Sequence, residues 1–433
     1  MLHYGHANST QADPAAVAPY LFWMMFRNVA SDGLIFDDPV NAGITSRPGC
    51  VLASPSWENS GAPVAQDYVY HWTRDAAIVA TELGRAYSSG LLPDAGPLTD
   101  YVTFSQACQQ SPGDFDRASF FIDGTQRPWT NQSDGPALQT IALLDLYPHL
   151  DAPAQAIARQ LIGANLSFLQ GACQGQTYNL WEEEYGASFF ARSVQVRCFE
   201  TVAANPFGIG VPDWLPGAVS WLTNALDGHW NGQYYTSVLP VPAGDRSPYD
   251  PNIDVIMAAV YGAESPSDPR LLATAARLRD QWASPDSKYC YPVNTADAGR
   301  GIGPLLGRYP GDRYDGDNGT QAGDHPWALA TANFAELYYR LAAELQASGT
   351  RRPDPLSDPF YAQVGVTEST SVPDAVTALR SAGDAMLRAV LYHSDHFELS
   401  EQFDAVTGFE KSVSNLSWSY AAYLSAVRAR PAA

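Results

Sequence analysis

The sequence predicts an all-α fold, six helical hairpins closed into a barrel with an inner and an outer ring, on three observations. Apolar residues recur at helical spacing in twelve segments, period-two alternation is nearly absent, and no heptad pattern draws the helices into a coiled coil. A chain of 433 residues built this way must wrap its helices around a shared core. A hydrophobic fraction of 45% and an aromatic fraction of 12% supply one. A single domain over 1–433 is expected.

The first helix is expected over 14–29, where Val17, Tyr20, Leu21, Met24, Met25 and Val29 follow the helical period. A Gly/Pro/Asn/Asp-rich stretch continues to about Asp67, with short strands expected at 33–36 and 49–53. A second helix starts near Asp75 and carries Ile78, Val79, Leu83 and Tyr87 on one face. Further helices are expected at 98–109, 136–150, 153–169, 188–201, 209–227, 254–262, 269–282, 326–346, 373–392 and 416–428. Pro136, Pro153, Pro269, Pro326 and Pro373 open five of these, in a first turn where the missing N–H costs nothing.

A formal net charge of -21 argues against nucleic acid and anionic membranes as partners and leaves neutral substrates unaffected. No stretch reaches membrane-spanning length without charges or turn residues. The segment 1–12 lacks the apolar core of a signal peptide, and the compartment stays open. Cys50, Cys108, Cys173, Cys198 and Cys290 fit no metal-binding spacing, and at least one is unpaired within a monomer. His71 has no suitably spaced partner, and His393 with His396 lacks a second ligand cluster, so neither metal nor cofactor is expected. Asn8, Asn131, Asn165, Asn318 and Asn415 open Asn-x-Ser/Thr triplets, which matter only in a glycosylating pathway.

The unusual residues fall in loops that precede every second helix. Tyr68-Val69-Tyr70-His71-Trp72-Thr73-Arg74-Asp75 leads into the second, and Arg127 to Pro136, with Trp129, into the fourth. Trp181-Glu182-Glu183-Glu184 leads into the sixth, and Tyr249-Asp250-Pro251-Asn252 into the eighth. Arg308 and Trp327 precede the tenth, and Ser400-Glu401-Gln402 the twelfth. In a barrel of hairpins these loops emerge at one end, so Trp, Tyr, Arg, Asp and Glu converge on one mouth.

Flat rings cover the faces of a sugar, Arg and Asp bond its hydroxyls, and two carboxyls across a glycosidic bond hydrolyse it. Glu182 suits the acid, because neighbouring carboxylates and apolar rings raise the cost of its charge. Glu401, with no carboxylate beside it in sequence, suits the base. Each residue also has a plainer role: an acidic first helical turn for 182–184, a helix cap for Asp75, core for Trp129 and Trp327.

The chain resembles the glucoamylases of glycoside hydrolase family 15, in their fungal-like branch. The resemblance rests on Val-Leu-Ala-Ser-Pro-Ser at 51–56, Tyr-Val-Tyr-His-Trp-Thr-Arg-Asp at 68–75 and Ser-Asp-Gly-Pro-Ala-Leu at 133–138. It continues through Asn-Leu-Trp-Glu-Glu at 179–183, Gly-Arg-Tyr-Pro at 307–310, Ser-Glu-Gln-Phe-Asp at 400–404 and Ser-Trp-Ser-Tyr-Ala-Ala at 417–422. It implies an (α/α)6 barrel and exo-acting release of glucose, with inversion, from non-reducing ends of α-glucans. Glu182 then matches the general acid and Glu401 the general base. Arg74, Asp75 and Arg308 match the residues gripping the terminal glucose, and Tyr68 and Trp72 its aromatic wall. Trp129 matches a tryptophan near the acid, on a loop one residue shorter here, and Trp181 flanks the acid. Glu183 and Trp327 match the next subsite, and Ser412 a serine bonded to the base.

His71 and the pair Glu410-Lys411 depart from the family pattern and are expected to alter outer subsites. The disulfide pattern of the family is not reproduced. The sequence ends at Ala433, after the last expected helix, which leads to the expectation of no starch-binding module and of soluble oligosaccharide substrates. The resemblance favours a secreted or periplasmic location, and a monomer is expected. Other α-glucosides (isomaltooligosaccharides, dextran, trehalose) and a catalytically silent carbohydrate-binding protein stay open as alternatives.

Overall fold

The computed structural model describes residues 9–57, 67–242, 249–317 and 323–430. Among the described residues, twelve helices form the barrel: α1 (Pro14–Phe26), α2 (Thr73–Ser88), α3 (Gly96–Cys108), α4 (Asp134–Leu146), α5 (Ala152–Ala172), α6 (Phe189–Ala203), α7 (Leu215–Asp227), α8 (Ile253–Tyr261), α9 (Pro269–Ala283), α11 (Ala328–Ser348), α13 (Val372–His393) and α14 (Ser417–Ala429). Two short helices, α10 (Pro292–Ala298) and α12 (Asp358–Ala362), are insertions.

The inner ring is α2, α4, α6, α8, α11 and α14, each packed on the next, with α14 closing back onto α2. The outer helices α1, α3, α5, α7, α9 and α13 pack against α14, α2, α4, α6, α8 and α11 respectively. Composition separates the rings. Every residue of α8 is buried, and α11 is buried continuously from Ala328 to Tyr339, as a helix surrounded on all sides requires. The outer α9 buries Leu271, Leu272, Ala275 and Leu278 on one face and turns Arg277 and Asp280 outward. Asp13, Asp151, Ser188, Asn252, Asp268 and Ser371 cap their helices by accepting first-turn backbone N–H groups.

The departures from the expected elements have local causes. The helix expected from 209 begins at Leu215, after a loop held by the Asn205 side chain and containing Gly208, Gly210 and Pro212. Pro326 lies two residues before α11, not in its first turn. The expected strands at 33–36 and 49–53 are reduced to isolated bridges such as Val29 with Val51. Three small sheets brace the loops instead: β1 (His71–Trp72) with β2 (Ser119–Phe120); β3 (Thr177–Tyr178), β4 (Tyr185–Ser188) and β5 (Val238–Leu239); and β6 (Gln402–Phe403) with β7 (Glu410–Lys411). They lie on the side of the barrel where the inner helices begin.

No helix among the described residues is long and apolar enough to cross a membrane. All five cysteines are free. Asn165 is fully buried against Gln139 and Thr140, which closes that sequon to glycosylation in the folded chain, while Asn8 and Asn318 lie outside the described residues.

Candidate active site

The loops entering five of the six inner helices line one cavity of ≈ 270 Å³, while the loop entering α8, expected among them, stands behind it, where Tyr249 bonds Glu183 and Asn252 bonds Trp181. Eleven of the twelve residues singled out in the sequence line it, and Ser412 stands directly behind Glu401.

The acidic triplet lies in the β3–β4 turn, organised by a fully buried Asn179. Asn179 Oδ1 accepts the backbone N–H groups of Glu183 and Glu184, both at 3.1 Å, and its Nδ2 donates to Tyr249 Oη at 2.5 Å. Glu182 adopts a left-handed φ of 62°, which turns it away from its neighbours. The triplet is therefore not a helical first turn: α6 begins at Phe189 under a Ser188 cap, and Glu184 precedes β4 instead of starting the helix. Nor do the carboxylates share one environment. Glu182 Oε1 accepts from Trp72 Nε1 at 2.9 Å and Arg74 Nη2 at 3.1 Å, and its Oε2 accepts from Trp129 Nε1. Glu183 Oε1 accepts from Arg308 Nη2 at 2.9 Å, while its Oε2 accepts from Tyr309 Oη at 2.9 Å and Tyr249 Oη at 3.3 Å.

The two arginines are buried and multiply paired. Arg74 donates from Nη1 to Gln132 Oε1 at 3.0 Å and to Asp134 Oδ2 at 3.3 Å, beneath the ring of Trp418. Burial opposes its charge, but Asp134, Asp75 and Glu182 together hold it firmly protonated. Asp75 lies 3.4 Å from Arg74 Nε, and burial pushes its carboxyl up to about 6 against the pull of that guanidinium. Arg308 grips Asp312 with Nε at 2.7 Å and Nη2 at 2.8 Å, inside a cage of Trp181, Tyr309, Tyr314 and Trp327. Trp181 is fixed by donating to Asn252 Oδ1 at 2.9 Å.

On the opposite chain segment, Glu401 Oε1 accepts from Tyr68 Oη at 2.9 Å and Oε2 from Ser412 Oγ at 2.5 Å. Burial raises its pKa, while the Ser412 and Tyr68 hydrogen bonds and the charge of Arg308 pull it back down. Ser412 holds its position with φ 64° because its backbone N–H donates to Asp317, which also accepts from Lys411 Nζ at 2.6 Å.

Several residues in the site escaped the sequence reading. Tyr314 lies 3.0 Å from Tyr68 through their hydroxyls, and Arg127 stacks 3.9 Å from the ring of Tyr70 and 5.0 Å from that of Trp129. Trp418 sits inside a quoted motif but on a helix, where a tryptophan reads as core. The two departures do not face the cavity as expected. His71 is buried against Phe104, accepts from the Val51 N–H at 3.0 Å, and is held neutral by burial with a pKa of about 3. Lys411 is occupied by Asp315 and Asp317, and Glu410 accepts from the Ser400 N–H; both brace the β6–β7 hairpin. Among the described residues no group of three or more His, Cys, Asp or Glu is arranged to hold a metal ion.

The family model for glycosyl hydrolases family 15 matches residues 23–428. The chain belongs to glycoside hydrolase family 15. A glucoamylase of Blastobotrys adeninivorans is 29% identical over 435 residues, covering 88% of this chain and 67% of that protein. A probable glucoamylase of Schizosaccharomyces pombe is 27% identical over 436 residues, with coverage of 94% and 89%. The solved structure of Hormoconis resinae glucoamylase matches with a TM-score of 0.78 at 25% identity, over 96% of this chain and 73% of that one. Saccharomycopsis fibuligera glucoamylase shares the fold at 22% identity, with a TM-score of 0.76 and coverage of 97% and 96%. Family 15 membership makes the chain a glycoside hydrolase and agrees with the (α/α)6 barrel expected from the helix count. In this family 15 barrel two carboxyl groups face one cavity, each fixed by hydrogen bonds to different loops, so both are pre-oriented before a sugar arrives.

Proposed function

We propose that the enzyme is an inverting, exo-acting glucan 1,4-α-glucosidase, a glucoamylase, that releases β-D-glucose from non-reducing ends of maltooligosaccharides and other α-glucans. Glu182 donates a proton to the departing glycosidic oxygen. Glu401 takes a proton from the water that attacks C1 from the other face, and attack from that face turns an α-link into a β-product. Tyr68, Ser412 and Arg308 favour the ionised form of Glu401 against its burial, as a base requires. Arg74, Asp75 and Arg308 bond the hydroxyls of the terminal ring, and Tyr68, Trp72, Trp129, Trp181, Glu183 and Trp327 shape the ring's walls and the next subsite.

The observation that carries this reading is that Glu182 and Glu401, on loops far apart in the sequence, both line one cavity and are each held in place by hydrogen bonds. Glu182 is surrounded by N–H donors, and Glu401 is held by two hydroxyls. The relatives named as glucoamylases support the substrate class. Proton NMR of a fresh maltose digest should show β-glucose ahead of mutarotation, and α-glucose first would refute inversion. Glu182→Gln and Glu401→Gln should each lose roughly 10²- to 10⁴-fold in kcat. Turnover near that of the unaltered enzyme in either variant would remove that residue from its role.

A further inference from the structure

The inner helices begin at the active-site mouth and end at the opposite face, where a second cavity of ≈ 350 Å³ opens. All six inner helices line it, including α2 with Glu82 and Arg85, α6 with Arg197, α11 with Glu336 and Arg340, and α14 with Arg428. Charge is layered there. The side chains of Glu82 and Glu336 are only 6% and 1% exposed, whereas those of Arg85, Arg428 and Arg340 are 51%, 38% and 33% exposed. Glu82 takes both Nη atoms of Arg428 at 2.5 and 2.6 Å, and Glu336 Oε1 takes Arg340 Nε at 2.8 Å and Nη2 at 2.6 Å. A molecule entering the cavity therefore meets guanidinium groups, with the carboxylates beneath them.

Structural duties do not use up this set. Arg340 Nη1 and Arg197 Nη1 cap the carbonyls of Ala259 and Val260, covering the negative end of α8. Among the described residues, that cap is the one hydrogen bond of the Arg197 side chain, and Arg85 has only a 3.5 Å contact with Asp145. Four guanidiniums thus face two carboxylates, and even with Asp145 a positive excess survives in a chain of net charge -21. Burial, then Arg340, disfavour the charge on Arg197 against the pull of Asp145 and Glu336, and a bound anion would relieve what they leave uncompensated.

We propose that this end of the barrel is an anion site that takes a phosphate group, either inorganic phosphate or the phosphate of a small monoester. A tetrahedral dianion offers oxygens to forks arriving from several helices, which a monocarboxylate or chloride does not. The neutral sugars of the active site, at the other end of the inner helices, do not call for this arrangement.

Calorimetry of the full chain at constant ionic strength tests it, with inorganic phosphate and then glucose 6-phosphate as probes. Saturable heat with a midpoint below about 10 mM is expected for at least one probe. Arg85→Gln, at a half-exposed site, should fold normally, hydrolyse maltose at the unaltered rate without phosphate, and weaken binding about tenfold. Arg197→Gln should act in the same direction. Equal affinity for both probes identifies the phosphate group itself as the ligand, and tighter ester binding identifies a monoester; both support the site. Absence of saturable heat with either probe overturns it, as does unaltered affinity in both variants.

Discussion

Two hydroxyls hold Glu401, Tyr68 on one oxygen and Ser412 on the other, and each stabilises the carboxylate that burial disfavours. Removing either donor should therefore raise the pKa of Glu401, the proposed base. Tyr68→Phe and Ser412→Ala are each expected to move the acidic limb of the kcat/KM profile for maltose upward by about half to one pH unit. The accompanying loss of kcat should be about tenfold. An acidic limb that stays in place while kcat falls would mean that these hydroxyls position the base without tuning it. The charged and aromatic positions were legible as residues because Trp-Thr-Arg-Asp and Trp-Glu-Glu are rare clusters in a chain with only 16% charged residues. Their partnerships were not. Three adjacent glutamates read as one repelling group, yet the left-handed φ at Glu182 and the Asn179 side chain send Glu182 to Arg74 and Glu183 to Arg308. His71 illustrates the converse: a polar residue beside Trp72 alternates in β1 to the opposite side and is buried against Phe104.

At the scale of elements, the setting of Glu401 depends on how the β6–β7 hairpin meets the segment before α11. Lys411 ties the hairpin to Asp315 and Asp317, and Gln402 Oε1 accepts the Gly316 N–H at 3.4 Å. Gly316 itself is required by space. A Cβ there would lie 1.9 Å from Ser412 Oγ and 3.2 Å from Glu401 Oε2. Gly316→Ala must displace Ser412 and with it Glu401, so, with Glu401 as the proposed base, kcat on maltose should drop about a hundredfold. The melting temperature should change by only a few degrees, because the clash is at a loop and not in the helical core. A variant with full activity would show that the segment yields and that the Ser412–Glu401 contact is not fixed by it. The barrel helices were readable in order because each carries apolar residues through two turns or more between turn-forming stretches, down to the nine residues of α8, whereas the short α10 and α12 were not. The two-residue strands that position Trp72 and Gln402 have no period to read, and they exist because two loops meet.

For the molecule as a whole, counting helices and placing the unusual loops before every second one was enough to anticipate ring closure and the mouth. The opposite cavity escaped the same reading, since its arginines come from four helices as far apart as positions 85 and 428 and form no local cluster. Buried carboxyl groups are likewise invisible until the chain closes. Burial raises Asp250, Asp254 and Glu264 to about 7 and Glu410 to about 8. Asp250 and Asp254 lie together under the backbone and hydroxyl of Ser237, and each has one buried oxygen without a hydrogen bond. In the unfolded chain these groups are ionised well below neutrality, so between pH 6.5 and 8.5 the folded state holds the extra protons and stability falls as pH rises. His71 and His229, lowered by burial to about 3 and 4, work in the opposite sense, but only below the ordinary histidine pKa. The upper window therefore belongs to the carboxyls, and the chain's negative charge acts there in the same direction. The melting temperature should fall by about 5 °C or more from pH 6.5 to 8.5 by scanning calorimetry. Asp254→Asn keeps the hydrogen-bonding shape but cannot ionise, so its decline over the same range should be shallower. A flat or rising profile in the unaltered enzyme would mean that these carboxyls ionise in the folded barrel without penalty, because water or a cation reaches the space beneath Ser237.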